Sequence, residues 1–346
     1  MRPERPTLET RMPSRRTVAT TLSLLASGLA LALGAVTPAA AQNYNLRFST
    51  SQVNPNEPVV KVMHSFADRV KERSGGRITL NIFTGDQLGP QKKVNEMIKG
   101  GARVLSVTDY GQLSQFVPDM GILAGPYLYA NQDEAKRLFA SDVFKELSGR
   151  LEQQGMKLIV SDGLFGVRHL LGSKPVRTPA DIAGMTLRVP PSPIMLETFT
   201  ALGARPTALP WGEVYNALQT NVVDAAEANY GSLVGSKLYE VRKVLSTTAH
   251  QTMYVAMVTS TEFFKSLPPD LQAVLMEEGK KAGAELTQLT LASDAAYAEE
   301  MKKAGVQFVT DVDNKAFAEK AKVAYTKVPG LTPGMYDKVR AAMTAH

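Results

Sequence analysis

Two apolar rhythms alternate along the chain from residue 45, and this alternation restricts the fold more than any other feature. "NLRFSTS" (45–51) carries Leu46 and Phe48 at strand spacing. In the next segment Val59, Met63, Phe66 and Val70 recur every three or four residues, the spacing of a helix that Gly75 and Gly76 then stop. "RITLNIF" (77–83) is a strand again, Lys92–Lys99 a helix, and "ARVLSVTD" (102–109) a strand. A second block opens with "MKLIVSDG" (156–163), and "TPADIAG" (178–184) reads as a helix start with Thr178 as cap. "MTLRVP" (185–190) is a strand, followed by a helix that ends at "ALGARP". "WGEVYNALQTNVVDAAEANY" (211–230) reads as helix, strand and loop, and 268–303 as one long helix. Strand and helix in turn predict parallel α/β units rather than an all-α or all-β fold.

The alternation begins only after an export-type leader. Arg2, Arg5, Arg11, Arg15 and Arg16 precede an uncharged stretch, Thr17–Ala35, and "TPAAAQ" offers small residues for cleavage after Ala41. An uncleaved membrane anchor is the other reading of this segment. "SRRTV" (14–18) is a weak twin-arginine pattern, and Met12 is an alternative start. A periplasmic location is expected. The segment 1–41 carries five Arg and two Glu, so the net charge of +6 falls to +3 without it. No Lys/Arg run then points to nucleic acid or a membrane surface. The 346 residues, 44% of them apolar, suffice for two domains with their own cores.

Catalytic chemistry finds little support. Without cysteine there is no disulfide, thiolate metal site or Cys nucleophile. H-E-x-x-H, G-x-S-x-G, P-loop and G-x-G-x-x-G motifs are absent. His64, His169, His250 and His346 lie far apart in sequence. Glu277–Glu278 and Glu299–Glu300 fall within the long helix, where a solvated face is expected. The chain is expected not to be an enzyme, and to need neither metal nor cofactor.

The informative stretch is 163–230. "GVRHLL" (166–171) places Arg168 at the end of an apolar strand, and "MTLRVP" does the same for Arg188 before three prolines. Strand carboxyl ends in open α/β sheets face the crevice where ligands bind. Two guanidiniums there favour an anion, because each can give two parallel hydrogen bonds to a carboxylate. A surface ion pair is the alternative for either residue.

These residues sit within a wider pattern. G-x-R, TP-x-D-x-x-G-x-x-x-RVP, ALGA-x-P, EVY-x-ALQ-T and VVD-x-x-E follow one another from Gly166 to Glu227. This order and spacing resemble the second domain of the substrate-binding proteins of TRAP (tripartite ATP-independent periplasmic) transporters. "FADRVKERSGGRITLNIFTGDQLGPQ" (66–91) is similar to their first domain. The resemblance covers nearly the whole chain after residue 41. It implies an α/β, two-lobed periplasmic binding protein fold with a long helix spanning both domains. Residues 42–165 would form domain I, completed by about 254–293; residues 166–253 would form domain II, completed by about 294–346.

The resemblance also implies a function: a monomeric receptor that closes on an organic acid, a sugar acid such as a uronate being favoured, and delivers it to membrane permease subunits. A receptor of the same fold feeding a sensor protein, and a secreted enzyme, are the alternatives. Arg188 matches the family arginine that holds the substrate carboxylate, and Arg168 a second family arginine. Trp211 falls where the family places an aromatic ring in the cleft, with a hinge or core anchor as its other reading. Ser51, Gln91 and Asp109 match variable ligand-contacting positions. Many members have Asn directly after the Glu of VVD-x-x-E. Here Ala228 stands in that place and Asn229 comes one later, so Asn229 is a candidate substitute. His250 is either a polar neighbour of the site or a core histidine.

Overall fold

A computed structural model describes residues 42–344. The export leader, its expected cut after Ala41, Met12 and His346 lie outside the described residues. Strand β1 (Tyr44–Ser49), helix α1 (Pro58–Arg73), β2 (Ile78–Phe83), α2 (Gln91–Lys99), β3 (Val104–Asp109) and a short α3 (Tyr110–Leu113) come first. Helices α4 (Gln132–Ala140) and α5 (Asp142–Gln153) lead into β4 (Met156–Gly172). Then follow β5 (Thr186–Val189), α6 (Pro193–Leu202), β6 (Arg205–Ala208), α7 (Val214–Gln219), β7 (Ala225–Asn229) and α8 (Tyr230–Gly235). The described chain closes with β8 (Val244–Ser260), α9 (Thr261–Ser266), α10 (Pro269–Lys303), β9 (Gln307–Val309), α11 (Asn314–Ala321) and α12 (Met335–Thr344).

The strands form one mixed sheet, β2-β1-β3-β8-β4-β7-β5-β6, with β9 beside β8. Its two outer parts, β2-β1-β3 and β7-β5-β6, are parallel, as the alternating pattern predicts. The middle is not: β8 runs antiparallel to β3 and β4, and β4 antiparallel to β7. The 17-residue strands β4 and β8 pair from Met156–Ser260 to Gly172–Val244, with four shifts of register on the way. They are the backbone link between the two halves of the sheet. Such bulges bend and twist a pair locally, so a single strand serves both halves.

Among the described residues, three apolar clusters form the core. One gathers Phe48, Met63, Phe66, Leu105, Leu271 and Leu275 around β1, α1 and the start of α10. Another joins Leu171, Val214, Leu218, Leu233 and, from the far end of α10, Met301. The third runs from Leu138 and Leu147 on α4 and α5 to Leu187 and Phe199 on β5 and α6. Thus α10 buries its two ends in different clusters. It lies directly on β4: a Cβ at Gly279 would stand 2.2 Å from the Ile159 carbonyl oxygen, so only glycine permits this approach.

Three local expectations are corrected. The segment 178–184 forms turns rather than a helix, because Gly184 at φ 71° and the start of β5 leave it too few residues; Asp181 instead accepts the backbone N–H groups of Arg177 and Thr178. Tyr230, at the end of the stretch read as strand and loop, begins α8 rather than a loop. Glu278 does not face solvent: it is fully buried on α10, where Arg69, Arg73 and Lys281 surround its carboxylate. Helix α12 packs Met335, Val339 and Met343 into the cluster that also holds residues of α4, α5 and α6, and Arg137 Nε donates to the Met343 carbonyl.

Candidate functional site

Strand β5 is flanked by β6 and β7, and Arg188 is its penultimate residue. Pro190 and Pro191 follow, and Pro193 begins α6. Prolines lack the N–H that would extend the sheet, so the strand stops and the Arg188 side chain is left at a cavity. That cavity encloses about 500 Å³, its open mouth included. Ser51 and Gln52 after β1, and Asp109 and Gln112 at the β3–α3 junction, contribute one wall. Phe165 and Arg168 of β4, Gln251 and Met253 of β8, Arg188 and Trp211 also line the cavity, with Pro190, Met195 and Ser232.

Arg188 is 3% exposed. Its Nε and Nη2 both donate to the carbonyl oxygen of Leu209, at 3.0 and 2.8 Å. It pairs with no carboxylate among the described residues. The Trp211 ring stands 5.2 Å from the guanidinium, and the indole Nε1 donates to Ser236 Oγ. Burial lowers the Arg188 pKa to about 10. A buried charge without a counterion is expensive, and this one faces open space.

Arg168 is a different case. It does not end its strand but lies four residues inside β4, at a register shift. Its Nε and Nη2 grip the two carboxylate oxygens of Glu227 at 2.5 and 2.7 Å, and Nη2 also reaches the Glu227 carbonyl. Only Nη1 is left toward the cavity, 3.2 Å from Met253 Sδ. Burial acts to raise the Glu227 pKa, but Arg168 and His250 outweigh it and hold the group ionised. Burial lowers the His250 pKa, so its ring is neutral. Nε2–H then donates to Glu227 at 3.1 Å, and Nδ1 accepts from Thr248 Oγ1 at 2.8 Å. Replacing Arg168 by Lys should lower stability by roughly 1.5–3 kcal/mol, since a charged group loses one of its paired hydrogen bonds. A thermal melt of the unliganded variant checks this; an unchanged midpoint would mean that the fork geometry contributes nothing.

Ser51, Asp109, Arg168, Arg188 and Trp211 therefore meet in one cavity, although they come from distant parts of the sequence. Gln91 lines an adjoining recess that shares Ser51, Arg188 and Trp211 with it. Two candidates point elsewhere. His250 is 1% exposed, and both its ring nitrogens are engaged behind Arg168. Asn229 donates to the Phe165 carbonyl and lines a smaller cavity with Glu57, Asp294 and Tyr297, on another face of Phe165. Ala228 is buried in the apolar cluster around α7 and α8. Sequence reasoning missed Gln52, Gln112, Gln251 and Glu227. Gln52 and Gln112 are next to, or three residues from, candidates that it named, and that proximity was the available signal.

Among the described residues no group of three or more His, Asp or Glu is placed to hold a metal ion, and no helix is long and apolar enough to cross a membrane.

Residues 48–329 match the family described as bacterial extracellular solute-binding protein, family 7. The 2,3-diketo-L-gulonate-binding periplasmic protein YiaO of Escherichia coli is 30% identical over 281 residues, 81% of this chain and 84% of that protein. A TRAP periplasmic solute-binding protein from Ochrobacterium anthropi, solved with bound L-fuconate, superposes with a TM-score of 0.84 at 36% identity, covering 87% of this chain and 99% of that one. Another, from Fusobacterium nucleatum with bound sn-glycerol-3-phosphate, gives a TM-score of 0.83 at 31% identity over 87% and 97%.

Proposed function

The chain belongs to the family 7 bacterial extracellular solute-binding proteins, the receptors of TRAP transporters, and from that premise we propose that it binds a sugar acid in the Arg188 cavity and delivers it to TRAP membrane permease subunits. Members of this family are solute receptors rather than enzymes. The observation that carries the proposal is Arg188, a buried guanidinium held by a backbone carbonyl and paired with no carboxylate among the described residues. A ligand carboxylate would supply the missing counter-charge through two parallel hydrogen bonds. Arg168, already neutralised by Glu227, would add only its Nη1 edge. Glu227 and His250 would hold that edge in place, with Asn229 outside the contact set. The sugar-acid class draws support from the relatives, one with bound L-fuconate and one that binds 2,3-diketo-L-gulonate.

Delivery implies capture outside the cytoplasm, so we place the working protein in the periplasm. We also propose two lobes, split near 165 and 254, that close over the ligand, with β4, β8 and α10 as connections. Only the closed form would touch the ligand from both sides, so the ligand would shift the population toward it.

The test is a thermal-shift screen against aldonates, uronates and keto acids, followed by fluorescence titration. A true ligand at a hundredfold excess over its Kd should stabilise the protein by about 2.7 kcal/mol. Trp211 is the only tryptophan and lies against Arg188, so the same ligand should change the intrinsic emission. Trp211→Phe should abolish that signal. Stabilisation by no organic acid would remove the proposal, and stabilisation without an emission change would count against binding in this cavity.

A further inference from the structure

Building on the proposed receptor function, we infer that the cavity selects a singly charged, hydroxyl-bearing acid, and that Asp109 rejects a second negative charge. Three lining residues carry full charges: Arg168, Arg188 and Asp109. Arg168 is matched by Glu227 through a two-bond contact. Arg188 is thus the single guanidinium with an unmatched charge, and one carboxylate satisfies it. Asp109 is 7% exposed and stands on the same cavity. Its oxygens accept from the backbone N–H of Gln112 at 3.1 Å and from Gln112 Nε2 at 2.9 Å, and it forms no ion pair among the described residues.

The neutral groups around Asp109 point the same way. Gln52 Oε1 and Gln112 Oε1 are buried and accept no hydrogen bond from the described residues. The Asp109 carboxylate remains the accessible charged acceptor of the cavity lining, and ligand hydroxyls can donate to it. A second carboxylate, or a phosphate monoester that carries about two charges near neutral pH, brings a further negative charge to a cavity that already holds the Asp109 carboxylate. It also sets like charges together with no further cation among the residues that line this cavity, which strongly disfavours a partner. Selection of this kind works by repelling the wrong ligand as much as by holding the right one. The site would therefore separate this receptor from its glycerol-phosphate-binding relative, although both share the fold.

Calorimetry with matched acids tests the inference: galactonate against galactarate, gluconate against glucarate, and sn-glycerol-3-phosphate as the phosphate probe. The wild-type protein should bind the better aldonate on the order of 100-fold more tightly than its aldarate or the phosphate, given the several kcal/mol attached to juxtaposed like charges. Asp109→Asn keeps an oxygen for the Gln112 N–H, and a melting curve verifies its fold. It should weaken the aldonate and narrow the ratio at least tenfold. An aldarate or phosphate that binds wild type within threefold of the aldonate overturns the inference and leaves the receptor function standing. So does a ratio unchanged in Asp109→Asn. Failure of all five compounds, and of the wider acid screen, overturns the receptor proposal and this inference together.

Discussion

Arg188→Ala is expected to reduce affinity for the sugar acid by about two to three and a half powers of ten. Truncating one partner of a buried, hydrogen-bonded charge pair costs roughly 3–5 kcal/mol, because the other charge stays buried without compensation, and each power of ten is about 1.4 kcal/mol. The unliganded protein should behave differently. There the guanidinium is desolvated and hydrogen-bonded only to the Leu209 carbonyl, and the fields of Glu227 and Asp109 offset its burial only in part, so its removal relieves a poorly compensated charge, and the melting midpoint should hold or rise. This opposite response separates a ligand clamp from a core ion pair. Arg188→Lys should also bind poorly, since one ammonium cannot serve Leu209 and give a carboxylate two parallel bonds. Calorimetry and melting curves on the two variants decide the matter. Wild-type affinity in Arg188→Ala would mean that the carboxylate is held elsewhere; wild-type affinity in Arg188→Lys would mean that charge suffices without the fork.

Glu57→Gln is expected to stabilise the protein above pH 8 by on the order of 4 kcal/mol. Glu57 precedes α1 and is 2% exposed, with its carboxylate set against the backbone of α8: a Cβ at Gly235 would lie 2.8 Å from Oε2. Burial raises its pKa to about 8. Asp294 and Tyr297 line the same small cavity and no Lys or Arg does, so no cation there offsets the burial. The folded protein therefore holds this proton more tightly than the unfolded chain. Stability from that source is complete below about pH 4.5 and is lost as pH rises through about 8. The shift of roughly three and a half units, at 1.36 kcal/mol each, sets the scale. Glutamine mimics the protonated acid at every pH. Asp294, raised to about 6, adds a smaller slope of the same sign, so the informative quantity is the difference between wild type and variant. Denaturant melts from pH 5 to 9 measure it; parallel profiles would show that Glu57 does not ionise in this range.

Much of the fold was written in local periodicity, because helices such as α1 bury one clear stripe. Val59, Met63, Phe66 and Val70 define α1, and all four are buried. Strand direction was not legible: whether β8 runs with or against β3 depends on partners far away in sequence. Glu278 was misjudged for a related reason. Its spacing from Leu271, Leu275, Ala282 and Leu286 places it on the buried stripe, but its partners Arg69 and Arg73 belong to α1, some two hundred residues earlier. At the site, Arg188 could be found because a charge at a strand end followed by prolines is a local signal. The difference between Arg168 and Arg188 could not, since it rests on Glu227, 59 residues from Arg168. For His250 and Asn229 the position near the site was readable, but the direction of the side chain was not.

The pairing of β3 with β8 has a consequence in time. Leu105 of β3 lies beside Thr259 of β8, some 150 residues further along the chain. At roughly 5–20 residues per second of synthesis, β3 waits on the order of 10–30 s for its neighbour. The first half cannot mature ahead of the second, and contacts so distant in sequence make refolding slow. For a polypeptide that we place outside the cytoplasm, this delay is useful. The nascent chain stays unfinished, and so threadable, until the residues that complete it have been made.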